Sequence, residues 1–143
     1  EIFLTDLQNV NSMYHLAEGL RDNSTLTEIH LEKTGMHLGC AVAFAETLKV
    51  NNTIKTLNIK NNDIGDDGLS SLSEALLVNT TLERLDLGKN EIGDPGACAL
   101  ARALRVNKCK SLHTIDLSHN NIGNVGSLAL ARTLQYYNTY LHR

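Results

Sequence analysis

The chain has 143 residues, of which 13 are Lys or Arg and 16 are Asp or Glu, so its net charge is −3. This balance gives no positive field for nucleic acid or an anionic membrane, and an aromatic content of 4% without tryptophan gives no base-stacking platform. No apolar run approaches the roughly 18 residues that a membrane-spanning helix needs. We therefore expect neither nucleic acid nor a membrane as a partner.

The first 25 residues are predicted to form a partial repeat unit. Ile2 and Leu4 alternate as at the end of a strand. A helical spacing of apolar residues follows, at Met13, Leu16, Ala17 and Leu20.

A nine-residue pattern of spaced Leu or Ile residues, usually closed by Asn, then occurs four times. The copies begin 28, 28 and 30 residues apart and read LTEIHLEKT from Leu26, IKTLNIKNN from Ile54, LERLDLGKN from Leu82 and LHTIDLSHN from Leu112. A fixed period in this range is typical of stacked supersecondary units. We expect one array over residues 1–143, with full repeats at 26–53, 54–81, 82–111 and 112–139.

Each unit is predicted to contain one short strand and one helix. In the second full repeat, Leu57 and Ile59 alternate with polar residues, and helical spacing follows from about residue 67. Asp66 or Asp67 is predicted to cap that helix. Strands joined through helices run parallel, so the sequence predicts an α/β right-handed solenoid, with parallel strands on a concave wall and helices on a convex wall.

Asparagines recur at two phases of the repeat. Asn62, Asn90 and Asn120 follow the strands, and we expect their amides to form a hydrogen-bonded ladder along the solenoid. Thr34 replaces Asn in the first copy, so that loop is predicted to be the least regular. Asparagines at 23, 51 and 79 match the N-glycosylation pattern, but their phase favours helix-ending turns in a left-handed conformation.

The cysteines and the two ends of the chain lead to further expectations. Cys40, Cys98 and Cys109 show no pairing pattern, which favours reduced thiols and a cytoplasmic location. Residues 140–143 are predicted to start a further repeat. Neither end has a polar capping unit, which favours a fragment of a longer array, or self-association through uncapped ends. Tyr136, Tyr137 and Tyr140 either cover the end or anchor an interface.

The repeats resemble leucine-rich repeats of the ribonuclease-inhibitor-like class. In particular, NTTLERLDLGKNEIGDPGACALARALRVN, from Asn79 to Asn107, is similar to the repeats of cytosolic NOD-like receptors. The resemblance implies a horseshoe that binds proteins in most members, while a related group activates Ran-type GTPases. Function, however, belongs to the site and not to the fold.

The strand residues between the buried Leu and Ile positions are predicted to face the concave space. These residues form three columns and are candidates for binding a protein partner of unknown identity through charge complementarity and hydrogen bonds. They could equally be ordinary solvated strand residues. The candidates are Glu28, His30, Glu32, Thr56, Asn58, Lys60, Arg84, Asp86, Thr114 and Asp116, with Gly88 and Ser118 completing the third column.

No catalytic, cofactor-binding or metal-binding residues are predicted. Asp116 and Ser118 share a face, but His113 and His119 occupy other positions, so they make no triad. The histidines and cysteines lack metal-ligand spacing, and the glycines lack the Lys-Ser/Thr of a phosphate loop. The sequence favours a non-enzymatic protein-interaction module. A Ran-type GTPase activator and a self-assembling scaffold remain as alternatives.

Overall fold

Strands and helices alternate along the chain. The computed structural model describes residues 1–4, 10–106 and 111–140, with the side chains of residues 10 and 136–140 left aside. The elements in chain order are β1 (Ile2–Phe3), α1 (Val10–Arg21), β2 (Glu28–His30), α2 (Leu38–Val50), β3 (Thr56–Asn58), α3 (Gly65–Leu76), β4 (Arg84–Asp86), α4 (Asp94–Val106), β5 (Thr114–Asp116) and α5 (Asn124–Tyr140).

The five strands form a single parallel sheet in chain order. Each strand pairs with the next in the sequence, from β1 to β5. Each helix likewise packs against the next helix. This is the predicted α/β leucine-rich-repeat solenoid, with one wall of strands and one of helices.

The core lies between the two walls. The central residue of each inner strand is buried, as at Ile29, Leu57 and Leu85, and helix residues such as Leu48 and Leu76 meet them from the other side. Each buried Leu or Ile is worth roughly 1.5–3 kcal/mol relative to leaving it exposed. In the last copy, Ile115 is only partly buried, because β5 is the edge strand of the described sheet and pairs with β4 alone.

The predicted asparagine ladder is present. Asn62 Oδ1 accepts hydrogen bonds from the backbone N–H groups of Thr34 (3.1 Å) and Met36 (3.0 Å). Its Nδ2 donates to the carbonyls of Leu31 and Ile59, both at 2.9 Å. Asn120 binds the third repeat in the same way, at the N–H groups of residues 90 and 92. One amide therefore satisfies backbone groups of two neighbouring units.

The first loop follows the same backbone pattern as the third, so the prediction that it is the least regular was wrong. Both have a second positive φ at the same phase, at Gly35 (68°) and Glu91 (58°), whereas the second positive φ of the second loop falls at Gly65 (62°). There the Asn62 N–H donates to the Lys89 carbonyl and not to the next asparagine. As a result, Asn90 Oδ1 is buried without a hydrogen-bond partner.

The asparagines at helix ends close the turn through their side chains. Asn51 has φ −71° and ψ 131°, so the predicted left-handed conformation was wrong. Its Nδ2 donates to the carbonyls of Leu20 (2.7 Å) and Asn23 (3.0 Å), and its Oδ1 accepts from the N–H groups of Thr53 and Ile54. This amide is buried and bonded, which supports the interpretation of a turn over that of a glycosylation site.

Asp66 caps a helix, but the helix belongs to the next repeat. Its Oδ1 accepts from the N–H groups of Gly93 (2.7 Å) and Gly96 (2.9 Å) at the start of α4. Asp94 contacts Gly123 and Gly126 in the same way at α5. The predicted cap on α3 itself was wrong, because the N-cap residue of α3 is Ile64 and no side chain bonds there.

Several predictions fall outside the described residues. These concern the thiol of Cys109, residues 141–143 of the predicted further repeat, and the side chains of Tyr136, Tyr137 and Tyr140. Cys40 and Cys98 are free thiols, and burial raises the pKa of Cys40. In the described part of the chain, no helix is long and apolar enough to cross a membrane.

Candidate functional site

The strand wall, meaning the sheet face opposite the helices, brings the predicted columns together. In the first column, Glu28, Thr56, Arg84 and Thr114 are paired directly across neighbouring strands. In the middle column, the same pairing joins His30, Asn58, Asp86 and Asp116. Side chains in one column therefore stand one strand spacing apart, roughly 4.8 Å.

Turns at the strand ends hold the middle column in place. The Oδ1 atoms of Asn58, Asp86 and Asp116 accept hydrogen bonds from the N–H group two residues later, at 3.0, 3.0 and 2.8 Å. The bond from Ser118 lowers the pKa of Asp116, so this carboxylate stays charged to more acidic pH than usual. Asn58 makes the same turn through a neutral amide side chain.

The third column follows the strands in the same order. Backbone bonds continue past the sheet, from Lys33 to Lys60 (3.2 Å), Asn61 to Gly88 (2.7 Å) and Lys89 to Ser118 (2.9 Å). A Cβ atom at Gly88 would lie 3.2 Å from Ser118 Oγ and 3.3 Å from Asp86 Oδ1. Gly88 therefore leaves the Asp86 turn undisturbed, and Glu32 and Lys60 provide the charges of this column.

Phe3 also belongs to the wall, although it was not among the predicted wall residues. It pairs with His30 in the sheet and so heads the middle column. Its ring stacks on the His30 imidazole with a centroid distance of 4.3 Å and an interplanar angle of 9°, and the residue is 63% exposed. This position could have been predicted, because Ile2-Phe3-Leu4 matches the strand sequence Ile29-His30-Leu31.

A carboxylate lies beside this aromatic stack. His30 Nε2 is 3.5 Å from a Glu28 carboxylate oxygen and makes no hydrogen bond with it. The side chains of His30 and Glu28 are 23% and 41% exposed. Beside the wall, Lys55 Nζ and Glu83 Oε1 form an exposed ion pair at 2.9 Å, worth at most about 1 kcal/mol.

The arrangement is suited to binding. In the described part of the chain, no three His, Cys, Asp or Glu side chains come together in a way that could hold a metal ion. The wall presents carboxylates, the cationic groups of Lys60 and Arg84, amides, hydroxyls and the exposed Phe3 ring in fixed rows. Such a surface selects partners by the sign and spacing of their charges.

The fold and this wall define a class of repeat proteins, in which each unit adds one strand and one helix to a stack. The family model described as Leucine Rich repeat matches residues 50–73, 78–101 and 108–131, which together are half of the chain. The chain belongs to the leucine-rich repeat family. Among curated protein sequences, no significant relative was found.

Two solved structures share the architecture. A structure titled leiomodin-1 actin-binding site 2 superposes with a TM-score of 0.78 at 23% identity, covering 97% of this chain and 83% of that one. The C-terminal domain of tropomodulin from Caenorhabditis elegans gives a TM-score of 0.75 at 16% identity, covering 99% and 87%. At these identities, the likeness concerns the fold alone.

Proposed function

We propose that this chain is a non-enzymatic protein-interaction module that binds its partner on the strand wall. The observation that supports this most is the register of the five strands. It aligns Glu28, Arg84, Asp86 and Asp116 on one open face with the other candidate residues. Charged rows of this kind raise specificity and association rate.

We further propose a repeat class, a set of unit boundaries and a cellular location. The repeats are of the ribonuclease-inhibitor-like class, similar to those of NOD-like receptors, on the string from Asn79 to Asn107. The units run over 1–25, 26–53, 54–81, 82–111, 112–139 and 140–143. A cytoplasmic location fits the free thiols of Cys40 and Cys98.

Actin is the first partner to test. One of the similar structures is titled an actin-binding site, and this chain covers 83% of it. Co-sedimentation with filamentous actin and titration of fluorescent monomeric actin would detect such binding. Affinity capture with mass spectrometry extends the search to other proteins.

Charge reversal on the wall tests the proposal. Asp86→Lys with Asp116→Lys should abolish capture of the partner. The change also removes the two turn bonds to Gly88 and Ser118, but these lie outside the helices, so the circular dichroism spectrum should stay unchanged. A matched variant carries Glu18→Lys and Glu74→Lys on exposed positions of α1 and α3. If the wall variant captures the partner like the parent chain while the matched variant fails, the binding surface lies on the helices and the proposal is wrong.

A further inference from the structure

We propose that the strand wall binds a basic α-helix, with one arginine on Phe3 and Glu28 and further cationic side chains on Asp86 and Asp116. This inference rests on the proposed function and adds the chemistry of the partner. It depends on the middle column, which runs from Phe3 through His30, Asn58 and Asp86 to Asp116.

One end of the column combines an exposed ring with a carboxylate. Phe3 stacks on the imidazole of His30, and Glu28 approaches the Nε2 atom of the same imidazole at 3.5 Å. The ring and the carboxylate thus contact the same imidazole, which places both at one end of the wall. Arginine is the side chain that stacks on an aromatic face and also donates hydrogen bonds to a carboxylate.

The other end of the column carries two carboxylates on adjacent strands. Asp86 and Asp116 pair across β4 and β5, and each uses one oxygen in its own turn. Arg84 lies on the same face of β4, but it forms no ion pair with Asp86 in the described part of the chain. Between the two ends, Asn58 is neutral. The acidic groups therefore lie beside one end of the column, at Glu28, and within its other end, at Asp86 and Asp116, where Lys60 and His119 also act on Asp116.

A helix fits this column better than an extended segment. The inner strands already use their backbone groups in the sheet, so an extended chain lying across them would find no ladder to join. A helix satisfies its own backbone groups. At roughly 4.8 Å per strand, Asp86 and Asp116 lie about 14 and 19 Å from Phe3. Helix positions i, i+11 and i+14 share one face and span about 16 and 21 Å, a mismatch of only about 2 Å.

The probe is a 20-residue alanine-rich helix with arginines at positions 4, 15 and 18, measured by fluorescence anisotropy. We expect saturable binding that weakens as salt is added. Phe3→Leu should weaken it roughly two- to fivefold, and Phe3→Tyr should preserve it, because the aromatic face is what the arginine contacts. Phe3 is exposed, so both variants should fold.

Asp86→Asn with Asp116→Asn tests the acidic end without altering the wall. Asn58 already makes the same turn through its amide, so the geometry should persist while the charges vanish. We expect binding of the probe to weaken roughly tenfold, as for the loss of two charge pairs. The matched variant, Glu18→Gln with Glu74→Gln, changes the net charge equally on the outer helices and should bind like the parent chain.

Three outcomes would overturn the inference. These are absence of binding, equal weakening by the wall and outer variants, and equal binding of a proline-interrupted probe of the same charge. One further result would separate the inference from the proposed function. If Asp86→Lys with Asp116→Lys abolishes capture of the natural partner while the probe does not bind, the wall binds proteins but not basic helices.

Discussion

At the scale of single residues, the buried amides explain why this chain needs asparagine where a helix ends. Asn51 and Asn79 are each only 4% exposed. Asn79 repeats the bonds of Asn51 one unit later, donating to the carbonyls of Leu48 (2.8 Å) and Asn51 (3.2 Å) and accepting from Leu82 (2.8 Å). Each side chain thus links two helix ends to the start of a strand.

Replacing one such amide should be costly. Asn51→Ala removes the hydrogen bond to the Leu20 carbonyl and leaves the buried N–H of Ile54 without its acceptor, so we expect a loss of about 2–3 kcal/mol in the free energy of unfolding. Urea unfolding measures it. Asn52→Ala, at the exposed neighbouring position, should change stability by less than about 0.5 kcal/mol. Equal losses in the two variants would show that the buried amide has no special role.

At the scale of elements, the carboxylate of one unit fixes the start of the next helix. A Cβ atom added at Gly96 would lie 2.6 Å from Asp66 Oδ1, and one added at Gly126 would lie 2.8 Å from Asp94 Oδ1. The glycines therefore make room for the carboxylate of the preceding unit. The negative charge also lies at the N-terminus of a helix, where the helix dipole favours it.

Asp66→Ala should accordingly destabilise α4 more than α3. The substitution removes the acceptor of the Gly93 and Gly96 N–H groups, and we expect a loss of about 1–2 kcal/mol. Hydrogen exchange should show faster exchange at the start of α4, with α3 unchanged. Asp67→Ala is the control, since Asp67 is exposed. Faster exchange confined to α3 would mean that Asp66 caps its own helix after all.

At the scale of the whole molecule, the solenoid and the wall columns follow from the short-range pattern. The alternation of Ile29, His30 and Leu31 decides which side chains are buried, and a constant period repeats that choice in each strand. The contacts of Asp66 could not be predicted, because they join residues 27 and 30 positions apart that meet only after stacking. Phe3 was missed because the columns were drawn from the four full repeats, whereas Phe3 lies in the strand of the partial first unit.

If the partner lies on the strand wall, site-specific photo-crosslinking should detect it there. A benzophenone amino acid replaces Thr114, an exposed wall residue, in one variant and Glu74, on the exposed face of α3, in another. We expect a covalent adduct with the captured partner from position 114 and none from position 74. An adduct from position 74 alone would contradict it.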